Sequence, residues 1–359
     1  MTLKRLTPKN LFLFVAFVGI VLVICLSIFN SVQAQDQTTD KLLAFIKSDK
    51  NGQQILLANS RGQIKYALAN GSNAPIDAIS WSGSGNYLAA TVYNKPEGLY
   101  QVWVYDLHDM SHIPAPFIYG KTVSVFDPVW FGDTLAFVRF LSDSSIWIVK
   151  PGEEPTVISD SYPSIDEMQW NDDGSQIAFT CSETLWDDIK VIPPPSVHIC
   201  SIEVNTGAIR EVTDLKGPPE RYPFWFNGQL NWVAFDSDGY QWIQNKQGTL
   251  LADPQMSQIG TPVVNGNDVY TSAYVFDAQK DNNFWETRKF VCENMRCNGV
   301  NIPFPNVYLP SISDDGTYAF QMTRKNGSGQ ILLWYANKHQ TVTIVTTGST
   351  SYRQPVWQP

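Results

Sequence analysis

The sequence predicts an all-β fold, a single closed β-propeller of seven four-stranded blades, and three observations predict it. A phrase made of Trp, a turn carrying Gly or Asp, and a small apolar run centred on Ala-Phe recurs along the chain. Each repeat divides into four short strands bounded by turn residues. The two ends of the chain carry complementary parts of one repeat.

The phrase reads Trp81-Ser-Gly-Ser-Gly-Asn-Tyr-Leu88-Ala89-Ala90 and returns at 130–137 and 170–179, with looser copies at 225–235 and 310–320. Taking Trp81, Trp130, Trp170, Trp225, Val264, Ile312 and Trp357 as register marks, the spacing averages about 46 residues, the period of a four-stranded blade. In the unit that begins before Trp81 the strands read as 78–81, 87–93, 99–107 and 113–119. The third strand repeats too, as Val102-Trp103-Val104-Tyr105, Ile146-Trp147-Ile148, Gln241-Trp242-Ile243 and Leu333-Trp334-Tyr335. Such β-branched and aromatic alternation suits a strand pleated between two layers.

The ends supply the sharpest argument. Gln354-Pro355-Val356-Trp357 copies Asp127-Pro128-Val129-Trp130, whereas Leu43-Ala44-Phe45 is a second-strand signature with no Trp before it. One blade is therefore expected to be split between the termini, its C-terminal strand pairing beside 42–46, which removes two exposed sheet edges. Seven marks make seven blades. The unit at 260–306, where Val264 replaces Trp, is the least regular, and six or eight blades are the alternatives there.

Asp172-Asp173-Gly174 and Asp314-Asp315-Gly316 in the turn, with Pro128, Pro223, Pro310 and Pro355 leading the phrase, give units that resemble the TolB-type propeller repeat. The resemblance covers nearly all of residues 41–359 and implies a fold far more strongly than a function. TolB is periplasmic and carries an α/β domain before its propeller. Only residues 36–40 lie between the N-terminal segment and the first strand here, so that domain is not expected. Similar repeats form the propeller of prolyl oligopeptidase-like enzymes, whose chemistry resides in an α/β-hydrolase domain; the sequence has no Gly-x-Ser-x-Gly elbow.

Residues 1–35 read as a signal peptide or an N-terminal membrane anchor, and 36–359 as the propeller. Lys4, Arg5 and Lys9 precede an uncharged apolar run at 11–29, and Val32-Gln33-Ala34 has the form of a small-residue cleavage site. The 19-residue run also suits a retained span. Either way the basic flank stays inside and the remainder is expected to be extracytoplasmic: periplasmic, secreted or anchored outside the cytoplasmic membrane. Cys25 lacks the small residues that precede a lipidated cysteine.

Three of the 25 basic residues and none of the 34 acidic ones fall in 1–35, which leaves the exported part with 22 basic residues and a formal charge of −12. That surface disfavours nucleic acid as a partner. Four cysteines remain there. Cys292 and Cys297 flank a length suited to a hairpin turn, and Cys181 and Cys200 fall on neighbouring strands, so both pairs are candidate disulfides with buried free thiols as the alternative.

No catalytic, cofactor or metal set stands out. His108 and His112 are four apart but leave a strand for a turn, and His198 and His339 are scattered. The Asp-Asp-Gly segments read as tight turns, because calcium-loop spacing is missing. Two connections between second and third strands differ from the rest: 182–195, with Trp186, Asp187 and Asp188, and 278–288, with Phe284 and Trp285. Such loops share one face, and long aromatic loops on a rigid scaffold suit partner binding. The alternative is that each Trp folds onto a neighbouring blade. The expected function is a non-catalytic scaffold for a protein or cell-envelope polymer. The alternative is a propeller-type hydrolase or lyase with its site at the central channel mouth, which three or more carboxylates or histidines clustered there would favour.

Overall fold

The computed structural model describes residues 41–68, 74–111, 114–159, 162–183, 197–252, 256–277, 282–293, 296–305, 307–323, 328–344 and 350–359. They form seven antiparallel sheets. The first strand of each sheet touches the first strands of both neighbours, and the circuit closes on itself, so these strands form the inner wall of a ring. Blade I joins the C-terminal strand Ser351–Trp357 to Leu43–Asp49, Gly52–Ala58 and Ile64–Leu68. The inner strands of blades II to V are Ile76–Trp81, Ser124–Phe131, Ser164–Trp170 and Glu220–Phe226. Blade VII begins with Val307–Ile312.

The split blade closes as its sequence requires. Leu43 pairs with Trp357 and Ala44 with Val356, and the strand then continues past a bulge to pair Ile46 with Arg353. Beyond it, Gln358 donates its backbone N–H to Leu42 O at 2.8 Å and accepts the Leu42 N–H on its side chain at 3.0 Å. The core lies between blades. Ala44, Ile46, Ile55 and Leu57 of blade I pack with Leu88, Ala90, Val92 and Tyr105 of blade II, all buried.

The recurring Trp has a second role besides filling space. Trp81 Nε1 donates to Val356 O at 3.1 Å, Trp130 to Ser80 O at 3.2 Å, Trp170 to Val129 O at 3.3 Å and Trp225 to Gln169 O at 3.4 Å. Every acceptor is the residue just before the Trp of the preceding blade. Each indole thus stitches its blade to the one before it.

Blade VI is the irregular one, and its irregularity lies in the inner strand. Two short pieces, Met256–Ile259 and Val263–Asn265, both pair with Asp268–Asp277. The later strands are long, Asn282–Glu293 and Arg296–Pro305. Phe284 and Trp285 therefore stand in a strand, opposite Val275 and Tyr274, and not in the connection where the sequence placed them. The run 282–293 continues the hairpin ladder residue by residue, and no turn residue in it interrupts the pairing.

Cys181 and Cys200 form a disulfide between the second and third strands of blade IV, with both residues buried. Cys292 and Cys297 face one another across their strand pair, the register a bridge needs, while their side chains lie outside the described residues.

Two measurements check this account. Replacing Trp130 by Phe removes the link to Ser80 but keeps an aromatic ring, and is expected to cost about 1 kcal/mol in denaturant unfolding. Trp130→Ala also loses packing and is expected to cost about 3 kcal/mol; no loss in Trp130→Phe would remove the hydrogen bond from the account. Converting Cys181 and Cys200 together to Ala is expected to cost about 3 kcal/mol, because the bridge closes a loop of 19 residues.

Candidate functional site

Because the four strands of a blade alternate in direction, the starts of the inner strands and the second-to-third strand connections share one face of the ring. On that face the inner strands are bulged. In blades III, IV, V and I the residue three before the Trp has a left-handed backbone: Asp127 at φ 53°, Glu167 at 54°, Tyr222 at 54° and Gln354 at 50°. The ladders skip at these same places, between Phe126 and Val129, Asp166 and Gln169, and Arg221 and Phe224. A bulge re-aims side chains and is common beside functional sites. Here three bulged or adjacent positions carry Asp127, Asp166 and Glu167.

These acids are held differently. Asp127 Oδ2 accepts the Met168 N–H at 2.7 Å, from the next blade. Asp166 Oδ1 accepts the Glu167 N–H at 2.9 Å. Glu167 is fully engaged: Arg221 Nε reaches its Oε1 at 3.0 Å, while Oε2 accepts from Tyr222 N at 2.9 Å and Thr180 Oγ1 at 2.6 Å. Glu167 and Arg221 form the cluster's ion pair. Among the described residues, neither Asp127 nor Asp166 takes part in one.

Asp77, Asp127 and Asp166 line a single pocket of about 530 Å³ between blades II, III and IV, together with Thr91, Tyr100, Ser124, Phe126, Phe140 and Ser144. Burial pushes the Asp127 carboxyl well above the usual carboxylate range, and the charge of Asp166 adds to it. Burial also pushes Asp166 up to about 7, helped by the charges of Glu167 and Asp77 and opposed by Arg221. Such a pair can keep a proton at neutral pH and serve as donor and acceptor together.

The loop residues Trp186, Asp187 and Asp188 lie outside the described residues; the strand ends that bracket them, Ser182 and Val197, are paired with each other at this same face. The side chain of Phe284 likewise lies outside the described residues. Trp285 is half-buried and packs its ring 5.3 Å from that of Tyr274. The Asp-Asp-Gly segments are turns: Asp173 accepts the Ser175 N–H at 2.9 Å and Asp315 the Thr317 N–H at 2.9 Å. Among the described residues one trio has ligand atoms within 4.8 Å of one another, Cys181, His198 and Cys200, and its two sulfurs are joined in the disulfide. The pocket acids escape a reading of the sequence for motifs, because Asp77, Asp127 and Asp166 sit in three repeats up to 89 positions apart. The signal that could find them is the register, which sets Asp77 and Asp166 four before their Trp and Asp127 three before its own.

Asp166→Asn tests the electrostatics. The folded chain holds its extra proton between the ordinary value of 3.8 and about 7, so this carboxyl's contribution to stability falls as pH rises through that window. The variant is expected to be more stable than the parent at pH 8, on the order of 1–3 kcal/mol, with the difference shrinking toward pH 4. Thermal unfolding at both pH values reads it; a pH-independent difference removes the burial argument.

No protein-family model matches the chain, and no curated protein matches it in sequence. Solved structures do. The chain is similar to TolB from Acinetobacter baumannii, with a TM-score of 0.52 and 15% identity over 91% of this chain and 85% of that one. It is similar to the tricorn protease, with a TM-score of 0.55 and 12% identity over 88% of this chain and 36% of that one. The β-propeller domain of the Trilobed protease from Pyrococcus furiosus gives a TM-score of 0.54 and 12% identity, over 76% of this chain and 84% of that one. That domain is described as having an open velcro topology, whereas here Ser351–Trp357 pairs with Leu43–Asp49 and seals the ring. At these identities the likeness shows the fold alone, a β-propeller, while the seven blades and the closed ring are read from this chain's own sheets.

Proposed function

We propose that the protein is an extracytoplasmic, non-catalytic propeller that binds a protein or a cell-envelope polymer through the face on which its inner strands begin. The observation that carries this reading is the coincidence on one face of the acid-lined pocket and the longest connection between second and third strands, at 183–196. A rigid ring presents variable connections without moving its own wall, which suits recognition. The apolar segment at 11–29 and the Cys181–Cys200 bridge support placement outside the cytoplasm. Similarity to TolB supports the same reading.

The test uses the full-length tagged chain to capture partners from an envelope extract, beside Trp186→Ala and Asp166→Asn variants. A captured component that the parent retains and the variants lose, while both variants still unfold in a single cooperative transition no lower than the parent's at neutral pH, is the expected result. Identical capture by all three overturns the face assignment.

One observation favours a second reading, a hydrolase or lyase. Asp77, Asp127 and Asp166 meet in one pocket, and two of them are held as proton carriers. Turnover of an envelope glycan or peptide that Asp127→Asn and Asp166→Asn both abolish would establish it.

A further inference from the structure

The pocket's chemistry narrows what it can hold. Three carboxyl groups line it and no Lys, Arg or His does, so a phosphate, a sulfate or a carboxylate ligand finds no counter-charge in the lining. A divalent metal ion needs its oxygen ligands close together. The pocket carboxylates form no trio of ligand atoms within 4.8 Å of one another, since the sole trio of that kind among the described residues is the cysteine and histidine one. What remains is a neutral polyol or an organic cation.

Two features separate these. Thr91 is 2% exposed and lines the pocket, yet among the described residues its Oγ1 has no hydrogen-bond partner. A buried hydroxyl without a partner carries a cost of about 1–3 kcal/mol that a ligand donor removes. Besides Ala78, the apolar part of the lining is aromatic: Tyr100, Phe126 and Phe140, with the Tyr100 and Phe126 rings edge to face at 6.5 Å. Aromatic faces attract cations. A primary ammonium has three N–H donors, and Asp127, Asp166 and Thr91 offer three sets of acceptors for them.

We propose that this pocket binds a primary ammonium group attached to an apolar or aromatic body, such as the free amino end of a peptide. Resting on the binding-face reading above, the inference names the chemistry that face selects. Asp127 and Asp166 take the positive charge, Thr91 accepts the third N–H, and Tyr100, Phe126 and Phe140 enclose the body. Glu167 stays with Arg221 and holds the wall. On binding, the proton that buried Asp166 holds leaves to solvent, and the ammonium takes its place beside the carboxylate.

The groups that act on Asp166 are Glu167 on its own strand, Arg221 and Tyr222 from blade V, Asp127 from blade III and Asp77 from blade II. Asp77 in turn acts on Arg353 of blade I, whose guanidinium burial pulls below its usual range. Since the carboxyl must be ionised to pair, affinity is expected to rise with pH below about 7 and level off above it.

The experiment is calorimetry on the full chain with phenethylammonium chloride and, as a neutral isostere, 2-phenylethanol. The ammonium is expected to bind at least about tenfold more tightly than the alcohol at pH 8, and to lose about tenfold per pH unit from pH 6.5 to 5.5. Asp127→Asn and Asp166→Asn are each expected to weaken it about tenfold or more, and Thr91→Val about threefold, with the alcohol unaffected. Equal binding of the two probes, tighter binding of the alcohol, no binding of the ammonium at millimolar concentration, or calcium taking the site in its place would each overturn the inference. The parent's comparison between two probes needs no variant to fold. Partner capture that persists while the ammonium fails leaves the binding face standing and removes the ammonium alone.

Discussion

The ring depends on one repeated hydrogen bond, the indole N–H of a blade's Trp given to the carbonyl just before the preceding blade's Trp. A partly buried indole must find an acceptor for its N–H. Close packing of the inner strands brings the preceding carbonyl within 3.1 to 3.4 Å in four successive joints. The phrase is therefore self-propagating, because each copy supplies both a donor and the acceptor for the next copy. The first joint uses Val356, at the far end of the chain. Closure of the ring and satisfaction of Trp81 are one event, which explains why the terminal strand repeats the phrase so faithfully.

Where the Trp is missing, other groups take over. Blades VI and VII carry Val264 and Ile312 at the mark, and there Tyr270 and Tyr318 join hydroxyl to hydroxyl at 3.1 Å with their rings 5.7 Å apart. The indole of Trp357, whose neighbour is the blade with Ile312, has no hydrogen-bond partner among the described residues. The weaker joint and the broken inner strand of blade VI fall on the same side of the ring, so the register fails where the stitching residue is absent.

This logic separates what the sequence makes legible from what it hides. Blade count, strand order and closure rest on Trp, Pro and Gly positions whose roles are local, and a period of about 46 residues exposes them. The Cys181–Cys200 bridge is legible for the same reason, since both residues sit at known places in one repeat. Phe284 and Trp285 are misplaced by sequence reasoning because a long hairpin and a long loop of similar composition differ only in pairing. The pocket acids are harder still. Asp77, Asp127 and Asp166 each look like a solvated residue in a strand, and only the ring curvature and the bulges turn three repeats toward a single point.

The bulges bind wall and pocket into one device. Asp127 accepts from Met168 of the next blade, and Glu167 accepts from Tyr222 of the blade after that. The acids that line or border the pocket are thus also fasteners of the inner wall. Glu167 is neutralised by Arg221 and serves the wall alone. Asp127 and Asp166 form no ion pair among the described residues, and burial pushes both carboxyls above the usual carboxylate range. A structural role by itself gives no reason for two carboxyls there, since an amide would accept the same backbone N–H groups without any charge to bury. A cationic ligand of the proposed kind would lower that burial penalty while it is bound, as a catalytic proton transfer would make use of it.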